Sequence, residues 1–455
     1  MKPNAKSYTL LKNCSNNDNK VNGAPDEAHQ PYPGTPCPIP VLKVSDERRF
    51  ELDIDALEAI LLRDSIRDKP LVVVSIAGDF RKGKSFMLNF FLRYLQSSCG
   101  TTDDWLGSTD TSMKGFAWRG GAKLVTTGIL MWSEPFVIKL DDGQEVAIVL
   151  MDTQGAFDSE YTFSDSATVF ALSTMTSSIQ VFNLMHNLQE DNLQMLQFFA
   201  EYGRLALEST GDIPFQKLMF LIRDWSFPYD HPYGQSGGDM FLEEKLAIKE
   251  KQPIELQRIR QNIRAYFSDI GCYLMPYPGR EVAINKDFDG RVADIDSEFV
   301  DYLKTFVPLM LDPKNVVVKE IGGRQVTGKD LLEYFKVYYN VLKSGTLPEP
   351  SSMLEATAEA NNLAAVLTAK DAYLATMEAI CGKGEKCMSP TNLLKFNEKL
   401  RADAIKQFDE IKKFGGREFS TAYKNKLMAD LDQTFDTIAS LNAIKFSEYN
   451  KRLCF

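Results

Sequence analysis

No stretch of this 455-residue sequence approaches the ~20 consecutive apolar residues of a membrane-crossing helix, and the polar opening, residues 1–20, carries no secretion signal. Those absences lead to the expectation of a cytosolic chain. Positive charge is also short: 52 Lys and Arg against 62 Asp and Glu leave a formal net charge of -10. Phosphate-backbone binding calls for concentrated positive charge, so no nucleic-acid partner is expected. Seven cysteines, odd in number and scattered, fit reduced thiols better than a disulfide framework. Cys381 and Cys387 have no second pair or nearby His, which argues against a structural metal. The length suffices for two or three domains.

Residues 1–40 have few bulky side chains and read as a leader without its own core. Order is expected from a short strand at Val41–Val44, followed by a helix over 56–67. Leu71 to Ala77 is nearly all apolar, as a strand covered on both faces requires, and a helix follows through Phe86, Leu88, Phe91, Leu92 and Leu95. Further strands are expected at 129–137, 144–151, 216–223 and near 271–275. Helices are expected near 166–178, 189–207, 240–267 and 327–344. Strands separated by helical crossovers imply an α/β fold, a mostly parallel sheet between helical layers over 41–344. Pro348 and Pro350 then block helix continuation and mark 345–351 as a hinge linker. Beyond it the strand pattern stops. Apolar stripes over 353–380, 391–414 and 417–441 give a small all-α three-helix bundle, 352–445, with a tail at 446–455.

Chemistry concentrates at Gly78-Asp79-Phe80-Arg81-Lys82-Gly83-Lys84-Ser85, which matches G-x-x-x-x-G-K-[ST] between an apolar strand and a helix. Gly78 and Gly83 let the backbone N–H groups wrap a phosphate, Lys84 reaches the terminal phosphates, Ser85 offers a hydroxyl to Mg²⁺, and Lys82 and Phe86 flank the cradle. Asp152-Thr153-Gln154-Gly155 follows the second buried strand. There Asp152 can hold the metal through water, and Gly155 can place its N–H against the γ-phosphate. A switch protein also needs a Thr between these motifs. Thr126 is favoured, with Thr127 open as the alternative metal ligand.

Arg223-Asp224 closes the strand 216–223, where the Asp carboxylate can accept from guanine N1 and the exocyclic amine while Arg223 stacks on the base. The common Asn-Lys-x-Asp sequence is absent, so spacing alone favours guanine only in part, and ATP hydrolysis stays open. Arg81, inside the phosphate loop, is placed to neutralise charge on the bridging oxygen, with Lys82 the competing cation. Ser85, Thr126 and Gln154 all remain open for orienting water.

Together the loop 78–85, Thr126-Thr127-Gly128-Ile129 with Trp132, Asp152-Thr153-Gln154-Gly155, Arg223-Asp224-Trp225-Ser226-Phe227-Pro228 and the helical run Ser352 to Val366 resemble the atlastins, dynamin-superfamily GTPases related to guanylate-binding proteins. The resemblance implies GTP and GDP as substrate and product, Mg²⁺ as cofactor, and an in-cis catalytic arginine at Arg81. It also implies Lys84 and Ser85 in the phosphate loop, Thr126 and Asp152 at the metal, Arg223 and Asp224 at the base, and a base-capping, dimer-forming loop around Pro276. It further implies homodimerisation through the GTPase domain and the bundle, and tethering and fusion of endoplasmic reticulum membranes from their cytosolic face through an anchor outside these residues. A soluble guanylate-binding-protein-like GTPase and a non-hydrolysing nucleotide-dependent scaffold are the competing readings.

Overall fold

A computed structural model describes residues 35–44, 50–97, 105–118, 128–155, 163–196, 213, 215–342, 350–381, 387–411 and 416–453. The leader up to residue 34, Thr126, Thr127 and residues 345–349 of the expected linker 345–351 lie outside the described residues, whereas Pro350 and Ser351 are not linker but the start of helix Pro350–Cys381, where a proline's missing N–H costs no hydrogen bond.

The larger part is a nine-stranded sheet between helical layers. Its strands are β1 (Pro38–Val44), β2 (Phe50–Leu52), β3 (Leu71–Gly78), β4 (Ile129–Trp132), β5 (Phe136–Lys139), β6 (Glu145–Thr153), β7 (Ile179–Met185), β8 (Phe215–Arg223) and β9 (Phe267–Leu274). Neighbours run β2-β1-β4-β6-β3-β7-β8-β9, with β5 also on β6. From β6 through β9 every pairing is parallel, whereas β1, β2, β4 and β5 add antiparallel pairings on one flank. Strands β10 (Glu320–Ile321) and β11 (Arg324–Gln325) form a separate short hairpin.

The buried runs have the expected cause. Along β3, Leu71, Val73 and Ala77 enter one core while Val72, Val74 and Ile76 enter the other; β6 divides likewise, Ala147, Val149 and Met151 against Val146, Ile148 and Leu150. Successive side chains of a strand point to opposite faces, so a doubly covered strand must be apolar at every position. Helices Lys84–Gln96 and Ser297–Leu311 cover one face. Helices Ile54–Leu61, Phe163–Thr176, Gln235–Leu246, Ile254–Tyr266 and Gly328–Leu342 supply the other.

Several boundaries differ from the sequence pattern. Strand β1 begins at Pro38, inside the expected leader; Pro38 and Pro40 pair only with β4, where the missing N–H groups cost no second ladder. The expected strand 129–137 is two strands along the same edge of β6, separated around Pro135 by a two-residue register shift. The helix expected at 240–267 is two, Gln235–Leu246 and Ile254–Tyr266, with Pro253 capping the second. The helix expected at 56–67 closes at Leu61 after starting on an Asp53 cap, whose carboxylate accepts from Ala56 N at 2.9 Å. Strand β7 and helix Ser297–Leu311 were not expected at all.

Helices Pro350–Cys381, Pro390–Glu410 and Gly416–Leu453 form the bundle, and the last runs on through the expected tail. Among the described residues no helix is long and apolar enough to cross a membrane. The first bundle helix serves two cores: Ala356, Ala358 and Ala360 belong to the sheet-facing cluster, whereas Ala365, Ala369, Tyr373 and Met377 belong to the bundle's own. Small alanines permit that close approach to helix Gly328–Leu342. Asp371, on the same helix, pairs with Lys329 at 2.7 Å and Arg67 at 3.6 Å, tying the bundle's base to the larger domain.

Candidate nucleotide site

Because β6, β3, β7, β8 and β9 are parallel, their C-terminal ends share one edge of the sheet. The chain leaves β3 for β6 on one side and reaches β7 on the other, so the loops part and open a crevice, the usual ligand position in such sheets. A cleft of about 320 Å³ lies there.

The phosphate loop forms its floor. Gly78 has φ 139° and sits so close to β7 that a Cβ would come 2.1 Å from Asn183 O; Gly83 has φ 76° and starts helix Lys84–Gln96. The helix N-terminus points unpaired N–H groups and positive partial charge at the cleft, the standard setting for a phosphate. Lys84 is 6% exposed and donates to Gly78 O at 3.3 Å and Asp79 O at 3.0 Å. Burial lowers its pKa to about 8, against the upward pull of Asp152 and Asp79.

That shift has a testable sign. Below pH about 8 the free loop already carries a charged Lys84; above it the amine is neutral and must take up a proton when an anionic phosphate arrives. Nucleotide affinity is therefore expected to hold from pH 6.5 to 7.5 and to fall above pH 8, by up to about tenfold per pH unit, as measured by titration calorimetry or fluorescence. A flat profile from pH 7 to 9.5 would contradict a buried, titrating Lys84.

Ser85 Oγ donates to Asp152 Oδ2 at 2.5 Å, and Asp152 is fully buried at the end of β6. One hydroxyl and one carboxylate in contact fit Mg²⁺ of the phosphate-loop type, which draws its remaining ligands from water and phosphate. Thr153 Oγ1 donates to Ile76 O at 2.9 Å and fixes this strand end against β3. Gly155 lies beneath Phe80, where a Cβ would come 2.2 Å from Phe80 Cα. Gln154, weighed above for orienting water, is joined to Gly128: Gly128 N donates to its Oε1 at 2.8 Å and its own backbone N–H donates to Gly128 O at 2.9 Å, while its Nε2 has no hydrogen-bond partner among the described residues. The bond pair joins the Asp152 turn to the start of β4, just after the expected switch threonine.

Arg81 adopts φ 62°, uncommon for a residue with a side chain, and its guanidinium lies over the Phe80 ring at 5.0 Å. Its Nε and Nη1 are buried without a hydrogen-bond partner among the described residues, and the side chain lines the cleft. Lys82 lines it as well.

Beside the phosphate loop, Arg223 is 4% exposed, packs against Phe299 at 5.4 Å and stands 3.2 Å from where a Gly83 Cβ would be. Its Nε and Nη1 also lack partners among the described residues. Asp224 has φ 55°, and burial raises its carboxyl pKa, against the opposing charges of Arg223, His186 and Lys82. His186 N donates to Arg223 O at 2.8 Å, and His186 Nδ1 lies 3.2 Å from Asp224 O. Trp118, Met185, Tyr277, Pro278, Val282 and Phe288 complete a largely apolar wall. Pro276 is buried and does not line the cleft, whereas its neighbours Tyr277 and Pro278 do. Phe86 lines the cleft while packing on Trp118 and Phe288, at 5.1 and 6.1 Å between ring centroids. Trp118, Phe288 and His186 belong to no motif, and only their aromatic character in loop segments could have flagged them.

The phosphate loop, the Ser85–Asp152 pair and Arg223-Asp224 gather around one crevice at the C-terminal edge of the sheet, the arrangement of a phosphate-loop nucleotide-binding protein. Two family models cover most of the chain: the N-terminal domain of guanylate-binding proteins over residues 47–320 and their C-terminal domain over 322–453. The chain is 53% identical to human (Homo sapiens) Atlastin-2 over 401 residues, 88% of this chain and 68% of the relative. It is 53% identical to Atlastin-2 of Xenopus laevis over 401 residues, 88% and 70% of the two chains, and 51% identical to Atlastin-1 of Rattus norvegicus over 398, 88% and 71%. The chain belongs to the atlastin family of dynamin-superfamily GTPases. The two family models meet near residue 321, before helix Gly328–Leu342, so that helix and the bundle fall within one family unit.

Proposed function

We propose that this chain hydrolyses GTP to GDP and phosphate with Mg²⁺, dimerises according to the nucleotide it holds, and uses rearrangement of the helical bundle to tether and fuse membranes of the endoplasmic reticulum from their cytosolic face. The observation that carries the chemistry is the convergence of Lys84, the Ser85–Asp152 pair and Arg223-Asp224 on one cleft. In this reading Ser85 would hold Mg²⁺ directly, Asp152 would hold it through water and Thr126 would be a further ligand, and the bound ion would supply positive charge for the leaving group. Lys84 exchanges its loop carbonyls for phosphate oxygens. Arg81 turns its guanidinium from the Phe80 face toward the bridging oxygen, so the catalytic charge comes from the same loop as the cradle. The family membership and the bundle's placement support the mechanical half: Asp371 with Lys329 and Arg67 forms a contact that a bundle swinging about the linker 345–351 must break.

Phosphate release from GTP, with ATP as competitor, tests the chemistry. Retained nucleotide without release would favour the non-hydrolysing scaffold, and equal competition by ATP would remove guanine selection. Mass measurement with GDP, a non-hydrolysable GTP analogue and a transition-state mimic tests the coupling: dimers with the latter two and monomer with GDP are expected. Base reading has its own test. Asp224→Asn replaces a double acceptor by an acceptor and a donor, so the variant is expected to lose GTP affinity by about 10–100-fold and to gain for xanthosine triphosphate, whose C2 carries an oxygen. Unchanged preference for GTP would remove Asp224 from the base site.

A further inference from the structure

Strand β7 lies between β3 and β8, and its residue Asn183 sits directly beside Gly78 in the parallel register. We infer that Asn183 is a positioning residue that sets the shape of the phosphate loop, an inference that rests on the nucleotide-hydrolase reading above. Three observations meet on it. Its Nδ2 donates to Lys82 O at 2.9 Å, across 101 residues of sequence. Its own carbonyl lies where a Cβ on Gly78 would be, so one residue touches the loop at its first glycine and again just before its last. It is fully buried in a strand whose other interior positions include Val181, Phe182 and Leu184, yet its Oδ1 has no partner among the described residues.

A buried acceptor without a hydrogen bond is destabilising, and an apolar residue of the same shape would avoid that cost. Packing alone therefore does not account for an amide here. The amide does what leucine cannot: it anchors the Lys82 carbonyl toward the sheet. Anchoring that peptide presets the left-handed turn at Gly83 and leaves the N–H groups at the helix start facing the cleft. The loop is then organised before nucleotide arrives, and ordering it is not charged against binding. The contact is between elements far apart in sequence, so no local motif announces it.

The test uses the whole chain with Asn183→Leu, which keeps the shape and removes the donor, and Asn183→Asp, which keeps the shape and turns the donor into an acceptor facing Lys82 O. Affinities for GTP, GDP and GMP are compared by competition against a fluorescent guanine nucleotide, alongside the melting temperature without nucleotide. Both variants are expected to bind GTP and GDP about tenfold more weakly while GMP, which lacks the terminal phosphates the loop and Lys84 cradle, changes by less than about twofold. Equal losses for all three nucleotides, or no loss for GTP in a folded variant, would overturn the positioning role. If Asn183→Leu does not fold, Asn183→Asp carries the same comparison. Absence of guanine-nucleotide binding by the unaltered chain would instead remove the nucleotide reading, and this inference with it.

Discussion

Lys84→Ala is expected to abolish measurable GTP binding while leaving the nucleotide-free protein at least as stable as before. The two halves of that outcome have one cause. Lys84 is almost wholly enclosed, its amine donating among the described residues to the carbonyls of Gly78 and Asp79, and its pKa is already drawn down to about 8 by burial. In the free chain it is a buried charge held at a cost, so removing it does not weaken the core. In the bound chain it is the cation facing the terminal phosphates, with charge-assisted bonds that contribute about 1.5–3 kcal/mol each. Loss of two such bonds lowers affinity by at least about a hundredfold. Titration calorimetry with GTP and a melting curve without it separate the effects. A variant that binds GTP within about tenfold of the unaltered chain would contradict the site.

Arg81→Ala has the second large expected effect, and it falls on turnover. A guanidinium that neutralises charge only as the phosphoryl group transfers stabilises the transition state more than the bound substrate, so its removal lowers kcat and spares binding. In related phosphate-loop enzymes such an arginine is worth about 10³–10⁵ in rate. A fall of about a thousandfold in kcat, with GTP affinity within about fivefold, is therefore expected. Arg81→Lys should recover little, since an ammonium lacks the planar fork that can span two oxygens. Single-turnover phosphate release checks this, and an unchanged rate would end the proposed role. The geometry favours the assignment over a surface role: the residue is held in a left-handed conformation inside the loop, with two buried donors that have no partner among the described residues.

How far these residues could be read in advance follows from the range of the forces that place them. Strands β3 and β6 were legible because a strand covered on both faces must be apolar throughout, and Gly78 to Ser85 was legible because a phosphate cradle needs its glycines and lysine at fixed short spacing. Strand β7 was not. Its Gln180 and Asn183 break the apolar run, and Asn183 has its reason in Lys82, a neighbour only in space. Helices Gln235–Leu246 and Ile254–Tyr266 read as one because charged surface faces look alike, and only Pro253 marked the break. Gln154 has a further contact of this kind: its Oε1 accepts from Gly128 N, a neighbour only in space.

By itself the sequence determined the phosphate loop, the Asp152 turn, the Arg223-Asp224 pair and the division into sheet domain and helical bundle, since each depends on residues near one another along the chain. Only the tertiary structure decided that Ser85 meets Asp152, that Arg223 packs against the loop at Gly83, that Trp118 and Phe288 wall the cleft, and that the first bundle helix shares the larger domain's core. Those contacts join segments tens to hundreds of residues apart. Those around the cleft are set by how parallel strands bring their C-terminal ends to one edge, and the bundle's by helix packing, neither of which a local pattern of residues encodes.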